Sequence, residues 1–229
     1  MASELTVLKQ PVAVRPEHVC SHTTTFRVRQ HCLSWSFGDF TVTETPQADS
    51  SSSSSPLFTV DGKAGSWTQR RAVRDASGLP VFDMRRKNVG ATWFVELPGG
   101  SSPLITLAPR RNDMKDRLDV YVHGEEEVKL EVRGLDVWKK VTHVYLDERL
   151  VMVVKLVNLL SVYVPFLKDN QWDVRVSQGM DASLVPAIMV VLAANMYDSS
   201  LLVTGSSATG QEGAATAGAS GRATGDSGK

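Results

Sequence analysis

Leu184-Val185-Pro186-Ala187-Ile188-Met189-Val190-Val191-Leu192-Ala193-Ala194 is apolar on every side. A helix with no polar stripe cannot lie on the surface of a water-facing sheet protein; it belongs inside a core or inside a bilayer. Crossing the hydrocarbon takes roughly 20 apolar residues, well beyond this run. Asp198-Ser199-Ser200 prevents Leu201-Leu202-Val203 from extending it. Asp181 is a good N-cap residue, and Pro186 falls near the first turn, where its missing N–H costs little. The segment therefore reads as a core helix, ahead of a membrane span or an interfacial, partner-binding helix.

What precedes it is almost entirely strand-like. Phe26 to Arg29, Leu33 to Phe37 and Phe40 to Thr43 alternate apolar and polar residues at period two, as half-buried strands do. Phe58 to Val60, two strands around the Asp75 to Gly78 turn, Trp93 to Leu97 and Leu104 to Leu107 follow. Leu118 to Val122, Val128 to Val132, Val141 to Leu146, Leu150 to Val157, Leu160 to Val164 and Trp172 to Val176 complete the series. This spacing predicts about twelve strands in a sandwich or barrel. A helix that is apolar all round fits most simply inside a closed barrel, which also removes the sheet edges. The predicted class is all-β with one helix: an antiparallel β-barrel of about twelve strands closed around a central hydrophobic α-helix. Trp35, Trp67, Trp93, Trp138 and Trp172 are spread one to a strand or turn, the distribution of wall packing rather than of a ligand cage.

Composition bounds the rest. Lys+Arg (25) equals Asp+Glu (25), so no global charge draws the chain to nucleic acid or to an acidic membrane; such binding needs a local patch. The organisation expected is an N-terminal extension over 1–22, a barrel over 23–200 and a tail over 201–229. The Ser-rich insertion at 46–56 and the Gly/Ala/Ser/Thr-rich tail are too polar to offset their ordering entropy and are expected to be disordered. The start of the chain shows no secretory or myristoylation pattern and its end no prenylation box. With two cysteines, Cys20 and Cys32, the expectation is a cytoplasmic protein with reduced thiols, a nuclear or peripheral-membrane placement remaining open.

Several segments carry a family resemblance. Gly62-Lys63-Ala64-Gly65, the hairpin from Arg74 through Asp75, Gly78 and Phe82 to Arg85-Arg86-Lys87, and Trp138-Lys139 to Tyr145 resemble the LURP-one-related family. So does Val174-Arg175-Val176 followed by Gly179-Met180-Asp181 and the apolar helix. That family is grouped with Tubby C-terminal-like and phospholipid-scramblase-like domains. The resemblance covers roughly Thr23 to Ser200 and implies a twelve-stranded barrel around a central helix. It also implies phosphoinositide or anionic-membrane binding, and a membrane-tethered transcription-regulator role by analogy with the wider group. The chain lacks the cysteine-rich palmitoylation stretch of scramblases, so lipid scrambling is not implied for it.

The candidate ligand-binding residues for an anionic headgroup are Arg85, Arg86 and Lys87 first, then Arg70, Arg71 and Arg74. Guanidinium groups hold phosphate oxygens bidentately if two or more converge on one rim. Further basic groups (Arg110, Arg111, Lys115 and Arg117; Lys139 and Lys140) have acidic neighbours or stand apart. His18, Cys20, His22, His31 and Cys32 hold zinc-type donors, but H-x-C-x-H with a later H-C is not a standard zinc pattern, and no metal or other cofactor is expected. There is no G-x-S-x-G elbow, P-loop or H-E-x-x-H, His123 and His143 sit in strand patterns, and Glu125-Glu126-Glu127 reads as a solvated turn. No catalytic residues are assigned, and the chain is expected to be no enzyme. The alternative to a lipid ligand is a protein-interaction or scaffold module; nucleic acid is not an expected partner.

Overall fold

Period-two alternation becomes a ring of strands with one face turned inward. The structure, a computed structural model, describes residues 4–31, 39–45, 55–63, 68–112, 115–134, 141–157 and 170–194, without the side chains at 111–112 and 115–116. Its strands are β1 (Thr24–His31), β2 (Asp39–Glu44), β3 (Pro56–Gly62), β4 (Arg71–Asp75), β5 (Pro80–Arg86) and β6 (Trp93–Glu96). They continue as β7 (Pro103–Asn112), β8 (Lys115–Val122), β9 (Val128–Arg133), β10 (Val141–Leu146), β11 (Arg149–Leu156) and β12 (Asn170–Val176). Each strand pairs antiparallel with its neighbours in sequence, and β12 pairs with β1 to close a twelve-stranded barrel. The expected strands at Leu33 to Phe37 and Leu160 to Val164 lie outside the described residues, as do the predicted disorder at 46–54 and the whole 201–229 tail. Pro56, taken above as the end of the polar insertion, is instead the first residue of β3, a position where a missing N–H does not break a ladder.

Round the middle of the barrel every strand turns an apolar residue inward, with polar Gln30, Asn170 and Arg71 toward one end. Val28, Val42, Phe58, Val73, Phe82, Val95, Leu107, Val120, Val132, Val144, Met152 and Val174 are fully buried. Helix α1, spanning 184–194 among the described residues, supplies the interior with Leu184, Val185, Ile188, Val190 and Val191, none of which meets solvent. Burying each such side chain stabilises by roughly 1.5–3 kcal/mol relative to exposure. Strand walls and helix need each other: neither could bury its apolar face alone. No helix among the described residues is long and apolar enough to cross a membrane.

Asp181 lies just ahead of α1 rather than at its first turn: Ser183 N donates to its Oδ1 at 2.8 Å, closing the turn that leads into the helix. Its other oxygen does something the sequence did not announce. The N–H groups of Val14 and Arg15 donate to Asp181 Oδ2 at 2.9 and 2.7 Å, so the carboxylate, wholly buried, anchors a strap from the start of the chain. This strap, residues 6–20 with the 3-10 turn η1 (Pro16–His18), covers the barrel end where α1 enters. Leu8 N donates to Gln178 O, Val12 N to Gly179 O, Cys20 N to Met180 O and Gly179 N to Cys20 O. Arg15 Nη2 reaches Val81 O at 2.9 Å, tying the strap to β5. Gly179 has φ +89°, and a Cβ there would stand 2.9 Å from Leu8 Cβ, so only glycine lets the strap approach this closely. The N-terminal extension is thus part of the fold from Thr6 onward.

Burial at the end of the strap raises the Cys20 thiol from 9.0 to about 11. A thiol whose folded value is raised favours folding while it stays protonated. That contribution is complete below pH 9 and is lost as pH climbs through about 11, where the unfolded chain gains more by ionising. Urea unfolding of wild type and Cys20→Ala, compared at pH 8 and pH 10.5, should show wild type losing more stability on the alkaline step. Equal losses would mean that the thiol is not held in this environment.

Candidate functional site

Strand register decides which basic residues meet. The barrel has two ends: the strap covers one, and the other is the mouth reached by the ends of β1, β3 and β5 and the starts of β2, β4 and β6. Gly62 pairs with Arg71 and Arg71 with Met84, so one step further out Lys63, Arg70 and Arg85 fall in line across β3, β4 and β5 on the outer face. Lys63 N donates to Arg70 O at 2.9 Å, confirming that alignment beyond the ladder. Arg85 is paired with Phe94, over whose ring its guanidinium lies at 4.8 Å.

The adjacent outward row carries the opposite sign. Asp61 pairs with Ala72, Ala72 with Asp83 and Asp83 with Glu96. Between the two rows lies a solvent-open groove of about 630 Å³, with Gly99 and Gly100 at one edge. Its depth follows from the sequence: Ala72 and the glycines are the small residues in an otherwise long-chained surface. Glu96, 6% exposed, accepts both Nε (3.0 Å) and Nη2 (2.7 Å) of Arg85 on Oε1, so Arg85 is half spent on a buried partner. Asp61 holds Arg74 Nε at 3.1 Å. Asp83 receives only a long bond from Gly99 N (3.4 Å), and neither it nor Lys63 has an ion-pair partner among the described residues.

The remaining candidates distribute unevenly. Arg71 shares the inward parity of Val73 and lies across the rings of Phe40 (5.8 Å) and Trp93 (5.6 Å), inside the mouth. Desolvation lowers its guanidinium to about 10, the Asp39 carboxylate opposing the shift. Arg86 turns over the β5–β6 connection, its Nε donating to Gly90 O at 3.2 Å, and Lys87 follows it, exposed. Arg86 N donates to Thr68 O, which brings Arg86 and Lys87 beside the approach to Arg70. Five of the six expected residues therefore gather at one mouth. Arg74 does not: it is bonded to Asp61 and, at 3.3 Å, to Gly78 O, and lies further toward the strap end. Lys63 was missed, because nothing but β3–β4 register places it beside Arg70.

A second charged surface behaves differently. Arg110 meets Asp119 at 2.5 Å, Lys129 bridges Asp119 and Glu131, and Arg133 joins Glu131 to Glu148 while lying 4.5 Å over the Tyr145 ring. Bonds from Arg133 first, then Lys129, hold the Glu131 carboxyl below its usual range. Here Arg110, Lys129 and Arg133 are each answered by a carboxylate, while Arg117, in register between Arg110 and Arg133, is exposed. Arg111 and Lys115 side chains and Lys139 and Lys140 lie outside the described residues.

The zinc-type donors do not converge. His18 packs edge-on against Phe58 at 5.0 Å, His22 bonds Ser21 Oγ at 3.1 Å, and His31 lies 3.3 Å from Thr41 Oγ1 on another strand. No group of three or more His, Cys, Asp or Glu suited to a metal ion occurs among the described residues, and Cys32 is outside them. His123 is held between Thr106 Oγ1 (2.8 Å) and Glu127 (3.1 Å).

Twelve antiparallel strands closed round a core helix define a barrel of the Tubby C-terminal-like class. The LURP-one-related family matches residues 24–193, and the chain belongs to that family. The fold is similar to that of a protein from Arabidopsis thaliana solved by X-ray crystallography. The two superpose with a TM-score of 0.56 at 18% identity, over 80% of this chain and 98% of that one, a likeness of fold alone. Comparison with curated proteins yields no match.

Proposed function

We propose that this domain is a non-enzymatic binder of anionic, phosphate-bearing headgroups, phosphoinositides or other anionic membrane lipids, and that it docks by the end of its barrel opposite the strap. The observation that carries this reading is the gathering of Lys63, Arg70, Arg71, Arg86 and Lys87 at one end of the barrel. Guanidinium and ammonium groups projecting from neighbouring strands can share the oxygens of one phosphate while a flat bilayer meets the rim.

Each exposed cation near an anionic surface is worth about 1 kcal/mol. Replacing Lys63, Arg70 and Lys87 together with glutamine should therefore weaken binding to phosphatidylserine or phosphatidylinositol bisphosphate vesicles by roughly 100-fold. Wild-type binding should fall as salt rises. Absence of wild-type binding to either vesicle at low salt would dispose of the reading. A second reading, a protein-interaction module, draws on Leu79 (63% exposed) and Leu97 (44% exposed) in neighbouring turns at the opposite end. It would be favoured if wild type bound neither vesicle while Leu79→Ser with Leu97→Ser abolished capture of a protein partner.

A further inference from the structure

The two-signed groove on the outer face between β3 and β6 does not suit an anion alone. Asp61 and Glu96 answer Arg74 and Arg85, but Asp83 stands in the next row without a cation of its own among the described residues. The cationic row, Lys63, Arg70 and Arg85, and the acidic row, Asp61, Asp83 and Glu96, are two residues apart along the strands. That separation is about 7 Å. Within the acidic row Ala72 stands between Asp61 and Asp83, so a small group can reach these carboxylates without displacing a long side chain.

The geometry points to a ligand that carries both signs: a phosphate ester with a primary ammonium a few bonds away, the chemistry of phosphoethanolamine, its phosphate on Lys63 and Arg70 and its ammonium on Asp83. Asp83 is the carboxylate for the amine because the other two are engaged, Asp61 by Arg74 and Glu96 by Arg85. Asp83 by contrast holds only the 3.4 Å contact from Gly99 N, leaving lone pairs for N–H donors. Arg85 is a wall rather than a clamp, since Glu96 and the Phe94 ring fix its guanidinium. A quaternary ammonium such as choline is disfavoured because it has no N–H to donate to Asp83. The inference rests on the phosphate-binding reading above and adds selectivity to it.

Calorimetry with the full chain distinguishes the two. Wild type should bind phosphoethanolamine at least tenfold more tightly than ethyl phosphate, which keeps the phosphate and lacks the amine. Asp83→Asn should remove that preference while binding ethyl phosphate as well as or better than wild type, because a negative charge has left the neighbourhood of an anion. A purely structural role for Asp83 would weaken both ligands together. Equal wild-type affinity for the two compounds, or a preference that survives Asp83→Asn, overturns the inference; anionic-vesicle binding that persists in that case leaves the headgroup reading standing. If the preference holds, vesicles of phosphatidylcholine with and without phosphatidylethanolamine identify the source. Added binding with phosphatidylethanolamine supports a lipid headgroup, and its absence supports the free phosphate ester.

Discussion

Val191→Asp abolishes the folded barrel. Val191 is wholly buried on α1, with strand walls of apolar side chains around it. An aspartate there loses the valine's packing and must either bury a charge without a partner or take up a proton at the expense of its usual acidity. Such substitutions belong to the class that costs more than about 4–5 kcal/mol. A domain of this kind has roughly 5–15 kcal/mol in all. Circular dichroism should show lost cooperativity, or expression should yield no soluble protein. Ile188→Val, which removes one methylene from the same helix, should cost only about 0.5–1.5 kcal/mol and keep a sharp transition. A soluble Val191→Asp protein melting near the wild-type temperature would mean that α1 is not the core.

Asp181→Ala is the second large effect, and it acts on one end of the molecule. The substitution deprives three N–H groups, of Val14, Arg15 and Ser183, of their acceptor in a place water does not reach. Each buried donor left without a partner costs about 1–3 kcal/mol. A total of roughly 3–5 kcal/mol follows once partial rearrangement is allowed for. The helix keeps its apolar contacts, so the strap should loosen before the barrel does. With Cys32→Ser as background, the thiol of Cys20 reports on this directly. Labelling should be slow in the parent and much faster with Asp181→Ala, and a protease should now cut within residues 6–20. Labelling as slow as in the parent would show that the strap does not depend on the carboxylate.

These two residues also mark how legible the molecule was in its sequence. The central helix could be read because its signal is unconditional: a run apolar on every side, too short for a bilayer, has few places to go. The strands were readable for a similar reason, since period two survives without knowledge of the partner. The strap was not, because its buried residues Leu8, Val12 and Cys20 are too few and too widely spaced to form a period. Its anchor is a single carboxylate more than 160 positions away. Gly179, placed between a strand and the turn into the helix, was the one available sign that another backbone comes close. The candidate site was legible by composition but not by geometry. Arg70 and Arg85 are neighbours, and Lys63 joins them, only through the pairings of β3, β4 and β5. One step of slippage in any of these would turn the row to the other face. Arg74 stood in the same basic run, yet the irregularity between Val73 and Arg74 and its bond to Asp61 take it elsewhere.

The position of α1 in the chain has a consequence for synthesis. All twelve strands leave the ribosome before the residues that fill their interior, and β1 waits for β12, its partner, across most of the domain. Until residue 194 has emerged, the growing sheet lacks the helix that fills its interior and leaves its apolar face open to solvent or to other nascent chains. Contacts of such long sequence separation form slowly, and open edges invite wrong pairing meanwhile. A chain released before α1 is therefore not a smaller version of the domain but an aggregation-prone sheet. Among the described residues α1 comes last, so closure of the barrel around its core waits for the end of that segment.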